Sequence, residues 1–151
     1  MSVVYLAVGS VSGTAMAVAQ TVKDQLQSLG HTVIQEENAS VEGLNSSGCD
    51  AVLIITSTTG QGDLPANIIP FYVALEEQFP LQNGRPFGVI SLGDSSYDST
   101  FCNGGALFEE RFYELQGTQP VPRVTIDAME TITPDDDALF WLQEWVEKVL
   151  G

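Results

Sequence analysis

Three stretches of this sequence hold residues that could do chemistry, and each is rich in hydroxyls and glycine. The first is Gly9-Ser10-Val11-Ser12-Gly13-Thr14-Ala15, with hydroxyls at Ser10, Ser12 and Thr14 and no lysine or arginine. Where such a loop leaves a strand and opens a helix, the helix-terminal amides and the hydroxyls can surround a phosphate. Neutral donors suit a dianionic monophosphate. A triphosphate with magnesium is disfavoured because the P-loop lysine is missing, and the GxGxxG dinucleotide fingerprint is absent as well. An ordinary Ser/Thr helix cap accounts for the same residues without a ligand.

The second stretch is Thr56-Ser57-Thr58-Thr59-Gly60-Gln61-Gly62-Asp63-Leu64-Pro65. Two glycines and a run of hydroxyls after an apolar segment favour close backbone approach to a flat ligand over a mobile turn. The third runs Leu92-Gly93-Asp94-Ser95-Ser96-Tyr97-Asp98-Ser99-Thr100-Phe101-Cys102-Asn103-Gly104-Gly105. Tyr97 sits in a polar loop with no helical stripe to explain it. Its ring can stack on a planar ligand or simply cover the end of a sheet. Phe101 suits the core. No acid–base pair or nucleophile constellation accompanies these loops. His31 is the only histidine and lies away from them, so histidine-dependent chemistry is disfavoured. Cys49 and Cys102 are far apart and form no CxxC, which speaks against a disulfide framework or a zinc site. No metal site is expected.

Buried strands must present these loops. Residues 3–8, 51–56 and 87–92 are short apolar runs, residues 121–126 are a weaker one, and residues 31–35 alternate as an edge strand does. Such runs suit strands of a parallel sheet covered on both faces. Helical spacing lies between them. Ala15, Val18, Ala19, Val22, Leu26 and Leu29 precede a C-capping Gly30. A second helix covers residues 68–78 and starts close to Pro70. Phe108, Phe112 and Leu115 mark a third, closed by Gly117. The last opens with Thr133 as N-cap, Pro134 at its first position and Asp135 to Asp137 against the helix dipole; Leu139, Leu142, Val146 and Val149 form its stripe. Between residues 36 and 51 the pattern is too weak to assign a helix, and a loop is expected there. The order is that of a doubly wound α/β fold. In such folds ligands bind beyond the carboxyl ends of the strands, which is where all three loops fall.

The 151 residues fit one domain, spanning 1–151, with 44 % apolar and 17 % charged residues. Met1-Ser2 leads straight into the first apolar run without a basic leader, and no run is long enough to span a membrane. The expectation is a cytoplasmic protein. Asp and Glu number 20 against 5 Lys and Arg, a net charge of −15. That surface repels nucleic-acid phosphates and anionic membranes and favours encounter with basic protein surfaces.

Together the three loops resemble those of the flavodoxin family. Ser10-Val11-Ser12-Gly13-Thr14-Ala15 resembles its phosphate loop in the form found in the FMN domains of diflavin reductases, with Ser12 in place of a threonine. Thr58-Thr59-Gly60-Gln61-Gly62-Asp63 resembles the second flavin loop, and Leu92-Gly93-Asp94-Ser95-Ser96-Tyr97 the third. The resemblance covers the whole chain and is nearest to the short-chain bacterial YqcA and MioC type. It implies a flavodoxin-like five-stranded parallel sheet in the order 2-1-3-4-5 with helices on both faces. It also implies FMN, with its phosphate on Ser10 to Ala15 and its ring between the second and third loops. The cofactor-binding residues carried over are Ser10, Val11, Ser12, Gly13, Thr14, Ala15, Thr58, Thr59, Gly60, Gly62, Leu92, Gly93, Asp94, Tyr97, Phe101, Cys102 and Asn103. Tyr97 would stack on one face of the ring, and Gly60 matches the peptide that flips to bond the reduced ring nitrogen. The family often has an aromatic where this chain has Thr59, which leaves the inner face to Leu64 or solvent. Asp63, Asp94 and Asp98 would oppose added negative charge on the ring and lower its potential.

The function implied is electron transfer. A reductase of the flavodoxin/ferredoxin-NADP type would supply electrons to the flavin, and an acceptor enzyme docking on the acidic surface would receive them, with a strongly salt-dependent rate. A small flavin-dependent quinone or NADPH reductase and a flavin-free interaction module are the alternatives. A phospho-receiver domain shares the strand order, but Gly9-Ser10 and Thr56-Ser57 stand where it needs acids.

Overall fold

A computed structural model of the chain describes residues 2–10, 13–36, 38–58, 64–93, 103–127 and 133–150. The elements follow in the order β1 (Val3–Gly9), α1 (Thr14–Ser28), β2 (Thr32–Gln35), α2 (Val41–Ser47), β3 (Ala51–Thr56), α3 (Ile69–Gln78), β4 (Phe87–Gly93), α4 (Asn103–Glu114), β5 (Val124–Asp127) and α5 (Pro134–Trp145). A π-helical turn, Val146–Leu150, continues α5. The strands form one parallel sheet in the order β2-β1-β3-β4-β5, the order that the resemblance implies.

Alternation along the strands divides the core in two. Val4, Leu6 and Val8 of β1 join Leu53, Ile55 and Ile90 against α1 and α5, where Trp141 and Trp145 stack 6.1 Å apart. Tyr5 and Ala7 face the other way with Val52, Ile54 and Val89, against α2, α3 and α4. That face is aromatic: Phe71 and Phe108 lie 6.0 Å apart, and Phe87 and Phe112 5.4 Å. Both faces of β1, β3 and β4 are therefore buried, which is why their sequences read as unbroken apolar runs.

Two expectations are corrected. Residues 36–51 are not a plain loop, because α2 forms within them. Its propensity is poor, with Gly43, Asn45, Ser46 and Ser47 in seven residues. A cap and burial compensate: the Ser40 hydroxyl accepts from the Gly43 amide at 2.9 Å, and Val41 and Leu44 are buried. Tyr5 reaches up from β1 to the same place. Its hydroxyl donates to Glu36 at 2.6 Å and accepts from the Ser40 amide at 3.0 Å. The Glu36 carboxylate fills the space that a Cβ at Gly43 would occupy. The fifth strand is also shorter than residues 121–126 suggest. Pro120 and Pro122 have no N–H for a ladder, so pairing starts at Val124. Val121 is apolar because it is buried, and the Pro122 carbonyl accepts from Trp141 Nε1 at 2.9 Å.

The helix ends bear out most of the sequence reading. Pro70 lies in the first turn of α3 and Pro134 opens α5. Thr133 takes the N-cap position, its carbonyl accepting from the amides of Asp136 and Asp137 at 3.1 and 3.2 Å. Asp135 does more than face the dipole, since it accepts from the Thr21 hydroxyl at 2.6 Å and ties α5 to α1. His31 is structural: its Nδ1 accepts from the Ser2 amide at 3.1 Å, at the end of the sheet opposite the three loops. Cys49 is buried just before β3. Among the described residues, no helix is long and apolar enough to cross a membrane.

Candidate functional site

The three loops leave the sheet from neighbouring strands at one level. Gly9 pairs with Thr56, and Thr56 with Ser91, so the chain departs from β1, β3 and β4 on a shared rung or just past it. Because the strands are parallel, α1 and α4 begin at this same edge and turn their N-terminal amides toward it.

Side chains bind these departures to one another. The Ser57 amide donates to the Gly9 carbonyl at 2.9 Å, and the Ser57 hydroxyl to the same oxygen at 3.3 Å. The Thr58 hydroxyl accepts from the Gly104 amide at 3.0 Å, and the buried Ser91 hydroxyl from the Gly105 amide at 3.2 Å. The start of α4 is thus satisfied by the ends of β3 and β4. Contact there is close enough to exclude any side chain: a Cβ on Gly104 would meet the Ser57 carbonyl at 2.9 Å, and one on Gly105 would collide with Ser91.

The first loop is organised differently. Ser10 Oγ accepts from the Gly13 amide at 3.0 Å and keeps its own proton to donate. Gly13, not a serine or threonine, takes the N-cap position of α1 at φ +92°, and among the described residues nothing lies within 4 Å of where its Cβ would be. That backbone region disfavours any residue with a Cβ. The first intrahelical bond runs from the Ala17 amide to the Gly13 carbonyl at 3.0 Å. The amides of Thr14, Ala15 and Met16 precede it and have no helical acceptor. Exposed Thr14 adds a hydroxyl. Helix-terminal amides, two hydroxyls and no cation in the loop fit a phosphate monoester held by neutral donors.

The structure brings together Ser10, Gly13, Thr14, Ala15, Thr58, Leu92, Gly93 and Asn103 at this edge. Ala15 and Leu92 bury their side chains in the α1 and α5 side of the core, so only their backbone is available to a ligand. Asn103 is the first residue of α4. Leu64 is buried beside Gly104, at the edge where the second loop ends. Val11, Ser12, Thr59, Gly60, Gly62, Asp94, Tyr97, Phe101 and Cys102 lie outside the described residues, as do Asp63 and Asp98.

Asn67 escaped the sequence reading. Its Oδ1 accepts from the Ser10 amide at 3.0 Å and its Nδ2 donates to the Val8 carbonyl at 2.9 Å. An asparagine just before a helix reads as turn chemistry, and only the fold shows that it reaches β1.

Comparison with known proteins agrees with this architecture. Residues 6–141 match the family model for flavodoxin. Flavodoxin YqcA from Pectobacterium carotovorum is 38 % identical, with 99 % of this chain and 98 % of that protein covered. A segment of the sulfite reductase [NADPH] flavoprotein alpha-component from Bacillus subtilis is 32 % identical over 89 % of this chain, which spans 22 % of that larger protein. Among solved structures, a mutant flavodoxin from Pseudomonas aeruginosa superposes with a TM-score of 0.93 at 42 % identity, with 99 % of each chain covered. With its strand order, its three loops on one edge and these likenesses along nearly its whole length, the chain belongs to the flavodoxin family, whose cofactor is FMN.

Proposed function

We propose that this chain is a single-domain cytoplasmic electron carrier that holds FMN non-covalently at the carboxyl edge of β1, β3 and β4. The observation that carries the reading is the first loop: α1 amides with no helical acceptor, the Ser10 and Thr14 hydroxyls, and a left-handed Gly13 that no described residue crowds. Ser10 and the amides of Thr14 and Ala15 would receive the phosphate. The backbone around Thr58 and Gly93 would border the ring, with Tyr97 stacked on it and Gly60 supplying the adaptable peptide. Bound flavin supplies one- and two-electron transfer, and the protein supplies position and field. The chain's own residues bind, orient and shield.

The likeness to one segment of a larger NADPH-dependent flavoprotein supports a separate reductase of flavodoxin/ferredoxin-NADP type as the electron donor. A net charge of −15 supports docking of that donor, and of an acceptor enzyme, through basic surfaces. The test is titration of the purified protein with FMN, following flavin and tryptophan fluorescence together. Stoichiometric binding with mutual quenching is expected. No binding at excess FMN would overturn the carrier reading and leave a flavin-free interaction module.

A further inference from the structure

The β1–β2 ladder ends at Leu6 and Gln35, and β1 runs on to Gly9. The Gly9 carbonyl is taken by Ser57 on the β3 side. Peptide groups alternate along a strand, so the Val8 carbonyl and the Ser10 amide point the other way, to the side where β2 has stopped. Both are main-chain groups that need partners. The carboxamide of Asn67 provides them, accepting from Ser10 at 3.0 Å and donating to Val8 at 2.9 Å. It acts as a single peptide unit added to the sheet. Among side chains, only a carboxamide offers a planar N–H and C=O together for this. The neighbouring Ile68 packs on Gly9 so closely that a Cβ there would come within 2.7 Å of it. Asn67 and Ile68 thus grip the last residues of β1 just before the phosphate loop begins.

We infer that Asn67 is the positioning residue for phosphate recognition. It fixes the peptide on each side of Gly9 and with it the place of Ser10, whose hydroxyl orders the Gly13 amide. This rests on the reading of the site as an FMN site. It goes beyond that reading in assigning a residue outside all three glycine- and hydroxyl-rich loops to the phosphate end of the ligand. A residue that positions only the phosphate loop affects FMN more than riboflavin, which has the ring without the phosphate. A residue that merely supports the fold affects both alike.

The test compares wild type with Asn67→Ala by titrating FMN and riboflavin, and by hydrogen exchange of the Ser10 and Gly13 amides in ligand-free protein. The variant is expected to bind FMN about tenfold more weakly, the equivalent of one good hydrogen bond, and riboflavin less than about threefold more weakly. The two amides are expected to exchange at least about tenfold faster. Equal losses for the two ligands, an unchanged FMN affinity, or unchanged exchange at Ser10 would each overturn the assignment. Should Asn67→Ala not fold, Asn67→Gln keeps an uncharged carboxamide but displaces it by one methylene from Val8 and Ser10, and the same split between ligands is expected. A wild-type chain that binds no FMN refutes the proposed function instead, and the exchange measurement alone then decides whether the clamp exists.

Discussion

The two ends of the central strands are closed by different kinds of bond. At the amino end most closing bonds join main chain to main chain, with side chains added around the start of β1: Asp50 accepts from the Val3 amide at 2.8 Å and His31 from the Ser2 amide at 3.1 Å. The Val52 amide donates to Pro86, Phe87 to Thr118, Thr118 to Arg85, Gln82 to Leu115 and Gly84 to Gln116, all between 2.8 and 3.1 Å. At the carboxyl end the Ser57 amide still meets the Gly9 carbonyl, but most of the backbone is satisfied by side chains, one group at a time: Asn67 at Val8 and Ser10, Ser10 at Gly13, Thr58 at Gly104 and Ser91 at Gly105. Main-chain ladders knit a continuous closed surface. Single side-chain acceptors let neighbouring loops diverge and leave helix-terminal amides for a ligand. The difference teaches that the site is held open by its hydroxyls and one carboxamide, while the opposite end only has to be stable.

If this contrast is right, a methyl group should be far more harmful at Gly105, where Ser91 satisfies the start of α4, than at Gly84 in the opposite turn. Gly105→Ala drives a Cβ into Ser91 inside the core and is expected to cost about 3 kcal/mol in chemical denaturation. Gly84→Ala at the amino end meets nothing within 4 Å, and only its φ of +86° resists; a loss of about 1 kcal/mol is expected. Similar losses at the two positions would break the comparison.

The next effect depends on pH. Burial first, and then the Glu36 hydrogen bond and charge, push the Tyr5 hydroxyl well above the usual tyrosine range. A folded-state pKa above that of the unfolded chain means that the contribution is complete below about pH 10. It is lost as pH climbs from there toward the folded-state value. Stability should therefore fall on the alkaline side, and Tyr5→Phe should flatten that fall while costing about 1 kcal/mol at neutral pH, because the Ser40 amide loses its acceptor. Urea midpoints measured from pH 8 to pH 11 check this; an equally steep decline in the variant would exclude Tyr5 as its source. The smallest effect belongs to His31→Ala. Removing the acceptor of the Ser2 amide is expected to cost less than about 1 kcal/mol and to leave FMN affinity unchanged. A shift in that affinity would show that the two ends are coupled.

Much of the fold was legible because burial on two faces leaves a plain trace. The runs around Val4, Leu53 and Ile90 could be seen without any structure, and so could the turns at Gly30 and Pro134. The element that escaped, α2, has almost no propensity and forms because Ser40 caps it, Tyr5 and Glu36 brace it, and Val41 and Leu44 find a core to enter. Of the site, the loops around Gly13, Thr58 and Gly93 were legible from glycine and hydroxyl content. Asn67 was not, because its partners lie 57 and 59 residues away.

The sequence by itself determined which segments are strands, where the hydroxyl-rich loops fall between them, and that the loops offer a phosphate no cation. Those properties are local, set by residue type and by spacing of a few positions. Only the tertiary structure decided that Gly9, Thr56 and Ser91 share one rung, that Ser91 and Thr58 satisfy the start of α4, and that a carboxamide from the approach to α3 completes the end of β1. Each of these pairs a hydrogen-bonding group with a partner remote in sequence. Such a group leaves no periodic signal, because its partner is chosen by the need to satisfy a buried backbone group once the chain has folded.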